Sequence, residues 1–144
     1  HQPRYSMLDR KVEGPLLERQ QKLGVGSIVF SPLEQGILSA RYLNGIPADS
    51  RAGRPDSPFL QPQKVEETMQ TVQQLNAIAR ERGQSLAQMA VSWVLRQSAV
   101  TSAVIGASRV EQIEDLLPTV DTAEFSEEEL TAIDAACGGC MGRG

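Results

Sequence analysis

The sequence predicts an α/β fold in which parallel strands alternate with helices. Three observations predict it. Two short apolar runs, residues 26–30 and Ala103-Val104-Ile105, read as buried strands. The second run ends at Gly106, and an amphipathic helix begins just after Ser108, which is the strand-to-helix step of a βα unit. The whole chain reads helix, strand, loop, two helices, strand, two helices. Two strands are too few to stand alone, because a parallel sheet needs cover on both faces and partners on both edges.

The elements follow in order. Gln2-Pro3-Arg4-Tyr5 opens without a preceding strand. Residues 13–23 read as a helix with Leu16, Leu17, Gln20 and Leu23 on one face and Gly24 as its stop. Residues 26–30 form the first strand, ended by Ser31-Pro32. Residues 31–63 are a long irregular stretch holding Pro32, Pro47, Pro55, Pro58 and Pro62. Loops of this length are usually functional or disordered. Arg41, Arg51 and Arg54 make it positive, or simply solvate it.

Residues 64–82 form a helix with Val65, Met69, Val72, Leu75 and Ala79 at helical spacing, ended by Gly83. Ser85-x-x-Gln88 is a capping box opening a helix to about Arg96, whose buried face is Leu86, Met89, Ala90, Trp93 and Val94. Trp93 reads as packing. A helix over 109–117 is stopped by Pro118. Ser126 and Glu129 form another capping box, with a hydrophobic staple between Phe125 and Leu130. That helix runs to about Cys137, and residues 138–144 are a frayed tail.

The chain has 144 residues and a formal net charge of −4. That length suggests one domain able to bury a core. The charge gives no broad basic field for nucleic acid or anionic lipid. No apolar run approaches the ~20 residues of a membrane span. No signal-peptide pattern opens the chain, and a start at His1 rather than Met reads as a processing or cloning boundary. The two cysteines, Cys137 and Cys140, suit a reduced, cytoplasmic protein. Cys137-x-x-Cys140 is half of a zinc site at most, so no metal is expected.

The stretch from Val104 to Asp115 carries the first functional signal. A strand feeding a helix start leaves backbone N–H groups unpaired, and the helix dipole favours an anion there. Arg109 at the mouth suits bidentate pairing with a phosphate. The stretch then reads as half of a pyrophosphate or 2′-phosphate grip. Ser108-x-x-Glu111 reads equally as a capping box, and Glu111 sets an anion near the same place. Phe30, taken by itself at the end of its strand, reads as core.

Longer motifs then align. Val29-Phe30-Ser31-Pro32-Leu33, the run from Gly36 through Arg41 and Gly45 to Arg51, the run from Gln88 through Trp93 to Leu95, and the run from Ser102 through Gly106 to Ser108 stand in order. Together they resemble the aldo-keto reductases, in the branch of bacterial glyceraldehyde-3-phosphate reductase-type enzymes and potassium-channel β-subunits. The resemblance implies the C-terminal half of a (β/α)8 TIM barrel, roughly its last 40%, from the end of the sixth strand to the C-terminal helix. It implies NADP(H) at the C-terminal mouth, under the cofactor-covering loop 31–63. That loop is expected to be mobile without the rest of the barrel.

The resemblance carries over residue by residue. Gln2 matches the glutamine that hydrogen-bonds the nicotinamide carboxamide, and Phe30 the aromatic residue stacked on the nicotinamide ring. Ser31, Pro32, Leu33 and Gln35 match the loop around the pyrophosphate. Arg41 stands where many relatives have lysine, and Arg51 matches a basic residue of the belt over the cofactor. Gly106, Ser108, Arg109 and Gln112 match the grip on the 2′-phosphate. Asp115 stands where glutamate is usual, and Leu116 where asparagine is usual.

The family's catalytic aspartate, tyrosine, lysine and histidine lie in the first half of the barrel, with the tyrosine as general acid. Tyr5, Tyr42, Lys11, Lys22, Lys64 and His1 do not stand in that motif. The implied function is therefore the cofactor-binding part of an NADPH-dependent carbonyl reductase, inactive alone. The alternative is a non-catalytic half-barrel module. A half-barrel exposes strand edges and apolar inner faces, so self-association or pairing with a partner is expected. A truncated product with no retained role is the third reading.

Overall fold

A computed structural model describes residues 1–54, 58 and 60–138. Pro55, Cys140 and the tail beyond Gly138 lie outside the described residues. The elements are α1 (Pro15–Leu23), β1 (Ser27–Phe30), α2 (Pro62–Glu81), α3 (Leu86–Leu95), β2 (Val100–Val104), α4 (Val110–Leu116) and α5 (Glu127–Cys137).

β1 and β2 pair in parallel, with Ile28 opposite Ser102, Val29 opposite Ala103 and Phe30 opposite Val104. The opening residues also join this sheet. The Ile28 and Phe30 N–H groups donate to the His1 and Pro3 carbonyls at 2.8 and 3.0 Å, and the Tyr5 N–H donates to the Phe30 carbonyl at 3.2 Å. The chain therefore runs alongside β1 before it turns, although these residues carry no strand pattern of their own.

Side chains alternate across a strand, and here only one face is covered. Val29 and Tyr5 are buried against the helices. Ile28, Phe30 and Val104 remain 48%, 40% and 43% exposed on the other face. This corrects two expectations. The second strand begins at Val100, not Ala103, and its apolar run is not buried, because helices pack on one face only. Phe30 is not core.

The core lies between the sheet and α2, α3 and α5. Val65, Val72, Leu75 and Ala79 of α2 meet Leu86, Met89, Ala90, Trp93 and Val94 of α3, with Ile133 and Cys137 of α5 beneath. α2 starts at Pro62, since proline needs no N–H in a first turn. Arg82, just past α2, ties down the start of α5. It pairs with Glu129, donates to the Glu124 carbonyl at 3.0 Å and covers the Phe125 ring at 3.8 Å. Both expected capping boxes form, Ser85 with Gln88 and Ser126 with Glu129.

Three places show how tertiary context shapes the local elements. α1 buries Leu17 and Gln20 but leaves Leu16 and Leu23 exposed, since this short helix rests one narrow stripe on the core. α4 ends at Leu116, C-capped by Leu117, so the α-helix does stop at Pro118. Pro118 sits in the first turn of a 3-10 segment, Leu117–Asp121, where its missing N–H costs nothing. The 31–63 stretch is not structureless. It makes two 3-10 turns, Glu34–Gly36 and Ala40–Tyr42, and sinks Ile37, Leu38, Tyr42, Ala52 and Leu60 into the core. Its own apolar anchors hold it down. Among the described residues no helix is long and apolar enough to cross a membrane.

Candidate functional site

The strand register builds the site. Because Phe30 sits beside Val104, the loops after β1 and β2 leave the same C-terminal edge side by side. Ligands of parallel α/β sheets bind at that edge. The open face beneath it carries exposed Gln2 and Phe30. An exposed aromatic ring next to a carboxamide suits a flat heteroaromatic ligand.

The loop after β1 is backbone-strained. Ser31, Glu34 and Gln35 take φ values of 56°, 48° and 60°, and Gly36 follows at 96°. Left-handed geometry costs a non-glycine residue about 1–2 kcal/mol, so surrounding contacts must enforce it. Pro32 is buried and Leu33 packs on the core. The Gln35 amide donates to Ser31 Oγ at 3.3 Å, and the Arg51 guanidinium donates to Gln35 Oε1. Arg51 thus reaches across the loop from the far side of the 31–63 stretch. Arg41 is engaged elsewhere, paired with Asp49 at 2.9 Å.

Glu34 is the residue that sequence reasoning missed. It is 7% exposed, pairs with Arg4 and accepts from Ser6 Oγ at 3.1 Å. Arg4 also lies 3.5 Å from Asp9. Nothing local in the sequence signals this. The partners are 30 positions apart, and a glutamate in a polar loop looks solvated.

The loop after β2 departs from the expected cap. The N-cap of α4 is Arg109, not Ser108, and the reciprocal partner is Gln112, not Glu111. Gln112 Oε1 accepts from the Ser108 N–H at 2.8 Å, the Arg109 N–H at 3.3 Å and Ser108 Oγ at 3.3 Å. The Gln112 side chain satisfies two backbone donors at once, in place of the Ser108–Glu111 pairing. Those two N–H groups are therefore taken, so side chains must add to whatever backbone donors hold an anion at this mouth. The Arg109 guanidinium, exposed and without a partner among the described residues, is the available one. Gly106 faces open space. Asp115 is drawn away: its carboxylate accepts from Ser85 Oγ at 3.1 Å, and its carbonyl accepts from Gln88 Nε2 at 2.7 Å.

The expected residues thus fall into two adjacent groups. Gln2, Phe30, Ser31, Pro32, Leu33, Gln35 and Arg51 surround the end of β1. Gly106, Ser108, Arg109 and Gln112 surround the end of β2. Arg41 and Asp115 hold partners outside these groups. A groove of about 480 Å³ between Tyr42, Ile46, Val65 and Met69 lies at the start of α2.

Both tyrosines are buried and face other work. The Tyr5 hydroxyl donates to Glu13 Oε1 at 2.6 Å, and Arg96 donates to the Tyr5 oxygen at 3.1 Å. Burial, reinforced by Glu13 and partly opposed by Arg96, pushes the Tyr5 phenol well above its ordinary pKa. Tyr42 is buried as well, and the Ala52 N–H donates to its oxygen at 3.5 Å. No group of three or more His, Cys, Asp or Glu among the described residues is placed to hold a metal.

Comparison with known proteins identifies the family. The Aldo/keto reductase family model matches residues 1–137. The chain is 46% identical over 138 residues to the L-glyceraldehyde 3-phosphate reductases of two Escherichia coli strains, covering 93% of this chain and 40% of theirs. It is 35% identical over 138 residues to a putative voltage-gated potassium channel subunit beta of Schizosaccharomyces pombe, covering 92% of this chain and 40% of that one. A thermostable aldo-keto reductase, solved with the inhibitor epalrestat, superposes with a TM-score of 0.63 at 27% identity, over 94% of this chain and 38% of that one. The glycerol dehydrogenase of Gluconobacter oxydans shares the fold, with a TM-score of 0.73 at 24% identity, over 97% of this chain and 42% of that one. The chain spans about 40% of the length of the curated relatives it matches. It belongs to the aldo/keto reductase family.

Proposed function

We propose that this chain is the cofactor-binding, C-terminal part of an NADPH-dependent carbonyl reductase barrel and contributes no catalytic side chain of its own. The observation that carries this reading is the parallel register of β1 and β2. It sets an exposed Phe30 at the end of β1 beside the loop after β2, which carries Arg109, a side chain without a partner among the described residues. Phe30 would take the nicotinamide ring and Gln2 its carboxamide. The Ser31–Gln35 turn and Arg51 would lie along the pyrophosphate. Arg109 and Ser108 would hold the 2′-phosphate, which selects NADPH over NADH. When bound, NADPH supplies the hydride for reducing a carbonyl. A reduced, cytoplasmic setting belongs to the same proposal.

The test is a fluorescence titration of the purified chain with NADPH, with NADH as the control. Saturable binding that prefers NADPH is expected. Arg109→Ala should erase most of the preference, about a tenfold loss for NADPH and little for NADH. Equal affinity for the two cofactors, or an Arg109→Ala variant indistinguishable from the parent, refutes the assignment.

A second reading rests on the exposed Ile28, Phe30 and Val104, which form an apolar strip on a sheet in which β2 pairs with no further strand among the described residues. In it the chain is a non-catalytic half-barrel that self-associates or pairs with a partner. Light scattering that returns a compact monomer counts against this second reading.

A further inference from the structure

We infer that Glu34 and Arg4 form a brace that positions the turn after β1 for the cofactor; this rests on the functional reading above. The turn holds three non-glycine residues in left-handed geometry within five positions, and such geometry persists only where neighbours enforce it. Most of its backbone bonds are internal. The Glu34 N–H donates to Ser31, Gly36 to Leu33 and Ile37 to Glu34. They fix the shape of the turn but not its position over the sheet. Buried Pro32, Ile37 and Leu38 anchor the turn to the core, and Glu34 adds the polar tie to the segment beside β1. The Glu34 carboxylate is almost fully buried, and both oxygens are engaged, one by Arg4 and the other by Ser6 Oγ at 3.1 Å.

Arg4 and Ser6 lie on the segment that runs alongside β1, and Arg4 is two residues beyond Gln2. The brace therefore joins the two pieces of chain proposed to hold opposite ends of the nicotinamide half of the cofactor. Gln2 is on one piece. Ser31 and Gln35 are on the other. Asp9, 3.5 Å from Arg4 Nε, steadies the guanidinium from behind, and the Ser6–Asp9 backbone turn holds that carboxylate in place. Glu34 and Arg4 are positioning residues in this account, acting through Gln2, Ser31 and Gln35.

The experiment compares parent, Glu34→Gln, Arg4→Met and the double variant Arg4→Met/Glu34→Met. It follows NADPH affinity, thermal midpoint and hydrogen exchange at the amides of residues 33–38. Each single variant should weaken NADPH about tenfold and speed exchange at those amides in the cofactor-free chain. The double variant removes the paired Arg4 and Glu34 charges together and leaves only the weaker Asp9 and Ser6 contacts unmet, so its thermal midpoint should recover most of the way to that of the parent. Its NADPH affinity should stay low. A purely structural pair would recover affinity along with the midpoint, and that result overturns the inference. Unchanged exchange in Glu34→Gln overturns it as well, whether or not NADPH binds. If the parent fails to bind NADPH while exchange still rises in the single variants, the brace stands and the cofactor assignment falls.

Discussion

Glu13→Gln tests the polar network around the N-terminal segment. Three donors converge on this carboxylate: the Tyr5 hydroxyl at 2.6 Å, Arg10 Nε at 2.7 Å and an Arg96 guanidinium nitrogen at 3.3 Å. Arg10 continues to Asp134 on α5 at 2.6 Å, and Arg96 donates to the Trp93 carbonyl at 2.6 Å. The network therefore joins the N-terminal segment to α3 and α5. Glutamine keeps the shape but loses the charge and presents an NH₂ group to at least one donor. Hydrogen bonds to charged groups contribute about 1.5–3 kcal/mol when buried, and solvent-accessible ion pairs about 1 kcal/mol or less. The Glu13 side chain is 22% exposed, so its guanidinium contacts belong near the lower figure. The Tyr5 hydroxyl, on a fully buried residue, loses its charged acceptor. The expected loss is about 2 kcal/mol. At this chain length that lowers the thermal midpoint by roughly 6–8 °C. Circular dichroism melts read it directly, with Glu18→Gln on the exposed side of α1 as the neutral control. A midpoint within about 2 °C of the parent shows that the network contributes little and refutes the reasoning.

Two further outcomes follow from the core. The Tyr5 phenol titrates higher in the folded chain than in the unfolded one, where it loses its proton near pH 10. Above that pH the folded state binds the proton more tightly, so stability is full below about pH 10 and declines as pH rises beyond it. Tyr5→Phe should cost about 1 kcal/mol at neutral pH and shrink the alkaline decline; urea midpoints on both sides of pH 10 measure it, and an undiminished decline assigns it to other groups. Ile133→Ala empties a fully buried position between α5 and the core, and should cost about 2–5 kcal/mol by urea unfolding with an unchanged slope.

What the sequence reveals is what short range determines. The capping boxes at Ser85 and Ser126 need only four residues each, and both form. The stripe along α2 is long enough to fix its buried face. At Arg109 the local signal is degenerate: Glu111 and Gln112 both stand where a side chain can reach back to the helix start, and the Gln112 amide, which reaches two backbone donors, prevails. The exposure of Leu23, Phe30 and Val104 depends on what covers each face, which no local window contains. The pairing of residues 1–5 with β1 is hidden for a similar reason, since Pro3 and Arg4 show no strand pattern until β1 offers its N–H groups. The candidate site is legible as residue types through resemblance. Its geometry is not, because the Arg4–Glu34 contact spans 30 positions and rests on a left-handed backbone.

The surroundings of Trp93 give the fold an optical gauge. It is the only tryptophan, it is fully buried, and its indole N–H has no partner among the described residues. The Tyr5 ring centre lies 5.2 Å away, and the Arg96 and Arg10 guanidinium carbons lie 3.7 and 5.0 Å from the indole centre. All three neighbours belong to the network that closes the N-terminal segment onto α3. Any opening of that closure lets water reach an indole otherwise shielded, moves its emission to longer wavelength and breaks energy transfer from Tyr5. The emission spectrum therefore registers separation of the first residues of the sheet from the helices, before the helices themselves melt.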